Sequence, residues 1–94
     1  MKIEVFISPN CSKSEMLLDS MADLVKSGKI DGYTVTNAET HPEKIEAEKL
    51  KGIPSLKIGR FVFHKELSTA DEIKKLVATT LLSGSIFGLD EEAR

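Results

Sequence analysis

The sequence predicts an α/β domain in which a four-stranded mixed sheet is flanked by three helices, in the order β-α-β-α-β-β-α. Three observations predict it. Short apolar, β-branched runs alternate with stretches of helical periodicity. The first three elements make a βαβ unit, whose strands run parallel through a right-handed crossover. Two later strands are separated only by Gly59-Arg60, which makes them a hairpin.

The elements follow in order. Ile3, Val5 and Ile7 alternate with Lys2, Glu4 and Phe6, and Phe6 makes the run apolar on both faces, so a buried strand is expected at about residues 2–7. Ser8-Pro9-Asn10 is turn chemistry, and Pro9 ends the ladder. From Ser12 to Ser27, Leu17, Met21, Leu24 and Val25 form one helical stripe, and Met16 and Met21 read as core residues. Lys26 and Gly28 are stop signals. Tyr33-Thr34-Val35-Thr36 is the second strand. Thr40-His41-Pro42-Glu43 reads as a capped helix start, with Thr40 as cap, Glu43 completing a capping box and the end near Lys51-Gly52. Ser55-Leu56-Lys57-Ile58 and Phe61-Val62-Phe63-His64 are the hairpin strands, with His64 facing outward. Thr69 and Glu72 have capping spacing for the last helix, whose core stripe is Ile73, Leu76, Val77, Thr80 and Leu81, and Ser83-Gly84-Ser85 is expected to break it. This gives one domain at residues 1–83 and a C-terminal tail at 84–94, apolar at Ile86, Phe87 and Leu89 and then charged.

Composition narrows the function classes. Ninety-four residues make one domain, and with 5% aromatic residues its core is built mainly from Ile, Leu, Val and Met. A net charge of −2 argues against a nucleic-acid partner, which needs a basic face. A single cysteine allows no intramolecular disulfide and fits a reducing, cytoplasmic setting. Met1-Lys2-Ile3-Glu4 enters a strand directly, with no signal core, and no apolar run reaches the ~18–20 residues of a membrane span. His41 and His64 lack ligand spacing, so no metal site is expected.

The chemistry gathers at Ser8-Pro9-Asn10-Cys11-Ser12-Lys13-Ser14. Strand, tight loop, cysteine, helix is an order that puts Cys11 at a helix N-terminus. First-turn N–H groups and the helix dipole stabilise a thiolate there and lower its pKa below that of a free thiol. Lys13 adds a nearby positive charge, although an exposed lysine is screened. Ser14, one turn on, is placed either to donate to the thiolate or to bond a free first-turn N–H.

With Cys11 after the first strand and Gly52-Ile53-Pro54-Ser55-Leu56 before the third, residues 1–83 resemble a thioredoxin-like domain of glutaredoxin size. The resemblance implies a sheet in the order strand 2, strand 1, strand 3, strand 4, with strand 3 antiparallel to strand 1. It also implies a cis peptide bond before Pro54, and a substrate-binding role for Ile53 and Pro54 beside Cys11, with Pro9 and Lys13 on the facing loop. The family's Cys-x-x-Cys reads Cys11-Ser12-Lys13-Ser14 here, a monothiol variant in which Ser14 holds the resolving position. The Gly-Gly-x-Asp-like stretch that holds glutathione in glutaredoxins is replaced by Leu67-Ser68-Thr69-Ala70-Asp71. No cofactor is therefore expected, and glutathione enters only as a reductant. Pro-x-Cys-Ser-Lys-Ser also resembles the start of glutaredoxin-coupled arsenate reductases, but Arg60 and Arg94 are the only arginines available to hold an oxyanion.

Two functions remain at this level. In the first, Cys11 and Ser14 form the catalytic site of a monothiol thiol-disulfide oxidoreductase acting on protein or low-molecular-weight thiols and disulfides. In the second, the domain is a thioredoxin-like binding or regulatory module with little turnover. Arsenate-reductase-like thiol chemistry is the weaker alternative. The expected assembly is a monomer or a weak dimer through the C-terminal tail.

Overall fold

The computed structural model describes residues 2–87, apart from the side chains beyond Leu82. The elements are β1 (Ile3–Ile7), α1 (Ser12–Lys26), β2 (Thr34–Asn37), α2 (Pro42–Ala47), β3 (Ser55–Ile58), β4 (Phe61–Phe63) and α3 (Ala70–Phe87). The sheet order is β2-β1-β3-β4. β1 is parallel to β2 and antiparallel to β3, and β3 is antiparallel to β4, as expected from the sequence.

Side-chain alternation divides the sheet into two faces. Ile3 and Val5 pair with Ile58 and Leu56, so these four residues share a face. They join Leu17, Met21 and Leu24 of α1 and Ile73 and Val77 of α3 in the main core. The other face carries Phe6, fully buried, with Thr36 and Ser55 directly across from it. Lys57 also lies on that face, and its ammonium meets Glu48 at 2.7 Å, which ties the C-terminal end of α2 there.

The stops and starts of the helices have local causes. α1 ends in a Schellman motif: the Lys29 N–H donates to Leu24 O at 2.9 Å and the Gly28 N–H to Val25 O at 3.0 Å. Gly28 sits at φ +76°, a region that suits glycine. Thr69 caps α3 as expected, its Oγ1 accepting the Glu72 N–H at 3.1 Å.

Several expectations are corrected. Thr40 does not cap α2. The turn after β2 is organised by Asn37, whose Oδ1 accepts the Glu39 N–H and whose carbonyl accepts both the His41 N–H and the Thr40 hydroxyl. The helix then begins at Pro42, after a His41 that makes no side-chain cap. α2 stops at Ala47 instead of near Lys51-Gly52, through a second Schellman arrangement in which Lys49, at φ +56°, takes the left-handed position. Val25 is 37% exposed, and the buried stripe of α1 is instead Ser14, Leu17, Met21 and Leu24, with Ser20 beside it. The Ser20 hydroxyl is satisfied by Met16 O at 2.8 Å. α3 runs through Ser83-Gly84-Ser85 to Phe87. A helix-interior glycine costs only about 0.5–1 kcal/mol relative to alanine, too little to stop a helix anchored upstream by Ile73 and Val77. The expected tail beyond Phe87 lies outside the described residues.

Candidate active site

Topology assembles the site. Because β1 and β2 are parallel while β3 opposes them and β4 opposes β3, one end of the sheet carries the C-terminus of β1, the C-terminus of β2, the N-terminus of β3 and the C-terminus of β4. The loops holding Cys11, Glu39, Pro54 and His64 therefore leave from the same end. Arg60, in the β3–β4 turn, leaves from the opposite one.

After β1 the chain turns at Pro9 and Asn10. Asn10 has φ +56°, a conformation asparagine adopts more readily than most residues. Cys11 is the N-cap of α1 and is partly exposed. Ser14, one turn on, is buried, and its Oγ accepts the Ser8 N–H at 3.2 Å. That bond closes the Ser8–Ser14 loop on itself and leaves the serine proton free to point at sulfur. The Cys11 pKa is held below the ordinary thiol value, first by the Ser14 hydroxyl and then by the Ser14 backbone N–H. Partial desolvation opposes this, and the Lys13 N–H and the Lys13 charge add the smallest contributions. Hydrogen bonding to the charged form is the dominant cause.

Opposite lies the segment before β3. The Ile53–Pro54 peptide bond is cis. Pro54 is buried and Ile53 half-buried. The Ser55 hydroxyl donates to Gly52 O. His64 Nδ1 lies 2.9 Å from Pro54 O; since a carbonyl can only accept, Nδ1 carries the proton. His64 thus turns toward this loop and not outward as expected. The hairpin register explains the reversal: Leu56 pairs with Phe63, so the next pair across the ladder is Ser55 with His64.

Lys13, Ile53 and Pro54 line one cleft of about 280 Å³ together with His64, Lys65 and Ser68. Of the residues expected at the site, the structure gathers these three into the cleft. Cys11 and Ser14 stand on the same α1 N-terminus as Lys13, and Pro9 is exposed in the preceding turn. Sequence reasoning missed His64 and Lys65, although counting across the two-residue hairpin turn would have found His64.

The imidazole also explains Gly52. A Cβ added there would fall on the ring of His64, 2.2 Å from Nε2. Gly52→Ala is expected to cost about 1–3 kcal/mol, the range for overpacking, and to break the His64–Pro54 contact. In a double-mutant cycle read by denaturant midpoints, most of that cost should vanish in a His64→Ala background. Costs that simply add would show that the imidazole is not the obstacle.

The pH profile of Cys11 alkylation supplies a second expected result. Reactivity should rise through a midpoint below that of a free thiol, since the thiolate is the nucleophile. Ser14→Ala should move the midpoint upward, toward the ordinary value, and Lys13→Ala should move it less, in keeping with the order of the contributions. A larger effect at Lys13 would reverse the assignment.

A lone, partly exposed thiol heading the helix after the first strand of a β2-β1-β3-β4 sheet places this chain in the thioredoxin-like class of α/β domains. A model of the thioredoxin domain family matches residues 1–78, and the chain belongs to that family. At the level of the family, this means thiol-based redox function. No match is found among curated proteins.

Proposed function

We propose that this protein is a monothiol thiol-disulfide oxidoreductase with Cys11 as nucleophile. The Cys11 thiolate attacks one sulfur of a disulfide R–S–S–R. A Cys11–S–S–R bond forms, the substrate S–S bond breaks, and RS⁻ leaves. With no second cysteine in the chain, an external thiolate R′S⁻ then attacks the R sulfur of the mixed disulfide. It releases Cys11 as thiolate and carries away R–S–S–R′. The substrate disulfide is reduced, the external thiol is oxidised, and the protein is unchanged. Glutathione is one thiol able to serve as R′SH. In this reading Ile53 and Pro54, which line one cleft with Lys13, hold the substrate chain during exchange.

The observation that carries this reading is the placement of Cys11 at the open end of α1, with the Ser14 hydroxyl lowering its pKa. Arsenate chemistry is disfavoured by Arg60, which sits at the far end of the sheet and cannot hold an oxyanion beside Cys11.

The test is intact-mass spectrometry after exposure to oxidised glutathione and to cell extract. One mixed disulfide should form per chain, be absent in Cys11→Ser and be removed by added thiol. A Cys11 that alkylates only at the pH of a free thiol and captures no disulfide would leave the binding-module reading in its place.

A further inference from the structure

Where the C-terminal half of α1 meets α3, the surface opens into a groove of about 680 Å³. Lys26 and Lys29 line it from the end of α1, and Lys74 and Lys75 from α3. Asp23 is the one acid at its wall, and its carboxylate is taken by the Lys74 ammonium at 3.1 Å. Lys26, Lys29 and Lys75 are exposed, and none of them is in a salt bridge among the described residues. Four of the chain's 13 basic residues thus meet one of its 15 acidic ones, on a chain whose net charge is −2. Cations at a helix C-terminus complement the dipole, which accounts for Lys26 and Lys29. It gives no reason for Lys74 and Lys75, which stand in the second turn of α3, nearer its positive end. The groove also has an apolar side. Lys75, Ala78 and Leu82 follow at i, i+3 and i+7 on α3, one stripe of the helix. Leu82 on that stripe is 63% exposed.

We infer that this groove docks an acidic segment of a partner protein, with its carboxylates on Lys26, Lys29 and Lys75 and an apolar side chain of the same segment on Ala78 and Leu82. Charge complementarity selects an anion. The exposed leucine in line with the lysines selects a peptide over a bare polyanion, since phosphate groups gain nothing from an apolar contact. Nucleic-acid binding also draws on a basic face of the whole domain, which a net charge of −2 does not supply. Lys75 and Leu82 lie about 10 Å apart along the helix axis, a span that three or four extended residues cover at about 3.3 Å each. The segment therefore carries its apolar residue a few positions from its acids. Cys11 caps the opposite end of the 15-residue α1, roughly 20 Å from the groove. A partner held there leaves the thiol open, and the inference does not depend on the exchange reading.

The test uses the full chain and fluorescein-labelled peptides, with binding read by anisotropy at low salt. The probe is Leu-Leu-Gly-Glu-Glu-Glu-Glu. One counterpart has Gln for every Glu, and another has Gly for both Leu. The probe is expected to bind at least about tenfold more tightly than the Gln peptide, with the difference shrinking in high salt, as for exposed charges. Lys29→Glu together with Lys75→Glu should abolish that difference. Lys44→Glu together with Lys51→Glu makes the same change of net charge at exposed positions outside the groove and should leave the difference within about twofold. Leu82→Ser should weaken the probe at least about threefold and leave the peptide without leucines unchanged. Equal binding of the Glu and Gln peptides would overturn the inference, and so would a preference lost equally in the two double variants. Displacement of the probe by a mixed-sequence DNA oligonucleotide, charge for charge as effective as unlabelled probe, would overturn it in favour of a phosphate-binding surface. A probe that binds only after Asp90→Asn, Glu91→Gln and Glu92→Gln would overturn it in favour of the chain's own acids as the occupant.

Discussion

Ser14→Cys is expected to turn the one-thiol site into a two-thiol site. Ser14 lies three residues after Cys11 on the first turn of α1, where side chains at this spacing are neighbours about 5–6 Å apart between Cβ atoms. A disulfide needs them near 3.5–4.5 Å, a closure that falls to Cys11, which as N-cap stands in extended conformation outside the helix. The Ser14 hydroxyl is the first cause holding the Cys11 pKa below the ordinary thiol value, as expected of a group near the sulfur. A sulfur in its place gives Cys11 an internal partner. Mild oxidation should remove about two mass units without adding any group, and the mixed disulfide proposed for the unsubstituted chain should become short-lived, because the new thiol attacks it from within. Insulin-type disulfide reduction should rise on the order of tenfold or more, since the internal thiol replaces a bimolecular step. A variant that stays as two free thiols under mild oxidant would show that the pair cannot close. The cost is the Ser8 N–H bond to Oγ, 3.2 Å long, which sulfur accepts poorly; about 0.5–1.5 kcal/mol of stability should go with it.

Phe6→Ala is expected to be the most destabilising single truncation in β1. Phe6 is fully buried, yet it stands apart from the main core because its parity sends it to the opposite face of the sheet from Ile3 and Val5. Directly across from it are Thr36 and Ser55, both buried and both small. Neither can move in to fill the space a phenyl ring leaves, so the cavity term is retained in full. Losses of about 3–5 kcal/mol are the range for such a change, against a total of about 5–15 kcal/mol for an ordinary domain. The denaturant midpoint should fall accordingly. Val35→Ala, one strand over but at 48% exposure, should change stability by no more than about 0.5 kcal/mol. A Phe6→Ala loss below about 1 kcal/mol would mean that the second face is not a packed layer.

Where local chemistry decides, the sequence was readable. The Thr69 cap, the Gly28 stop and the Pro9-Asn10 turn each depend on a few consecutive residues and were found as expected. α2 was misread at both ends for the same kind of reason. Thr40 looks like a cap, but Asn37 competes for its hydroxyl through the preceding turn. The stop falls on Lys49, a residue that carries no left-handed signal. α1 was misread on one side because burial of Ser14 and Ser20 is invisible to a hydropathy pattern. Both serines are satisfied by a specific acceptor or donor, and that partnership exists only once the loop and helix are built.

For the candidate site the division is similar. Cys11, Lys13 and Ser14 were singled out by a cysteine loop between a strand and a helix, and Ile53 and Pro54 by the family resemblance; of these, Lys13, Ile53 and Pro54 come together in one cleft. His64 and Lys65 were not singled out, because their nearness to Pro54 follows from the hairpin register and not from any motif of their own. By itself the sequence determined the element order, the strand that precedes the thiol and the helix end that carries it, all set by periodicity and turn residues within a few positions of one another. Only the tertiary structure decided which residues share the cleft next to Pro54. Residues 13 and 65 become neighbours in one cleft when the antiparallel β3–β4 pair returns the chain to the end of the sheet where β1 delivers Cys11.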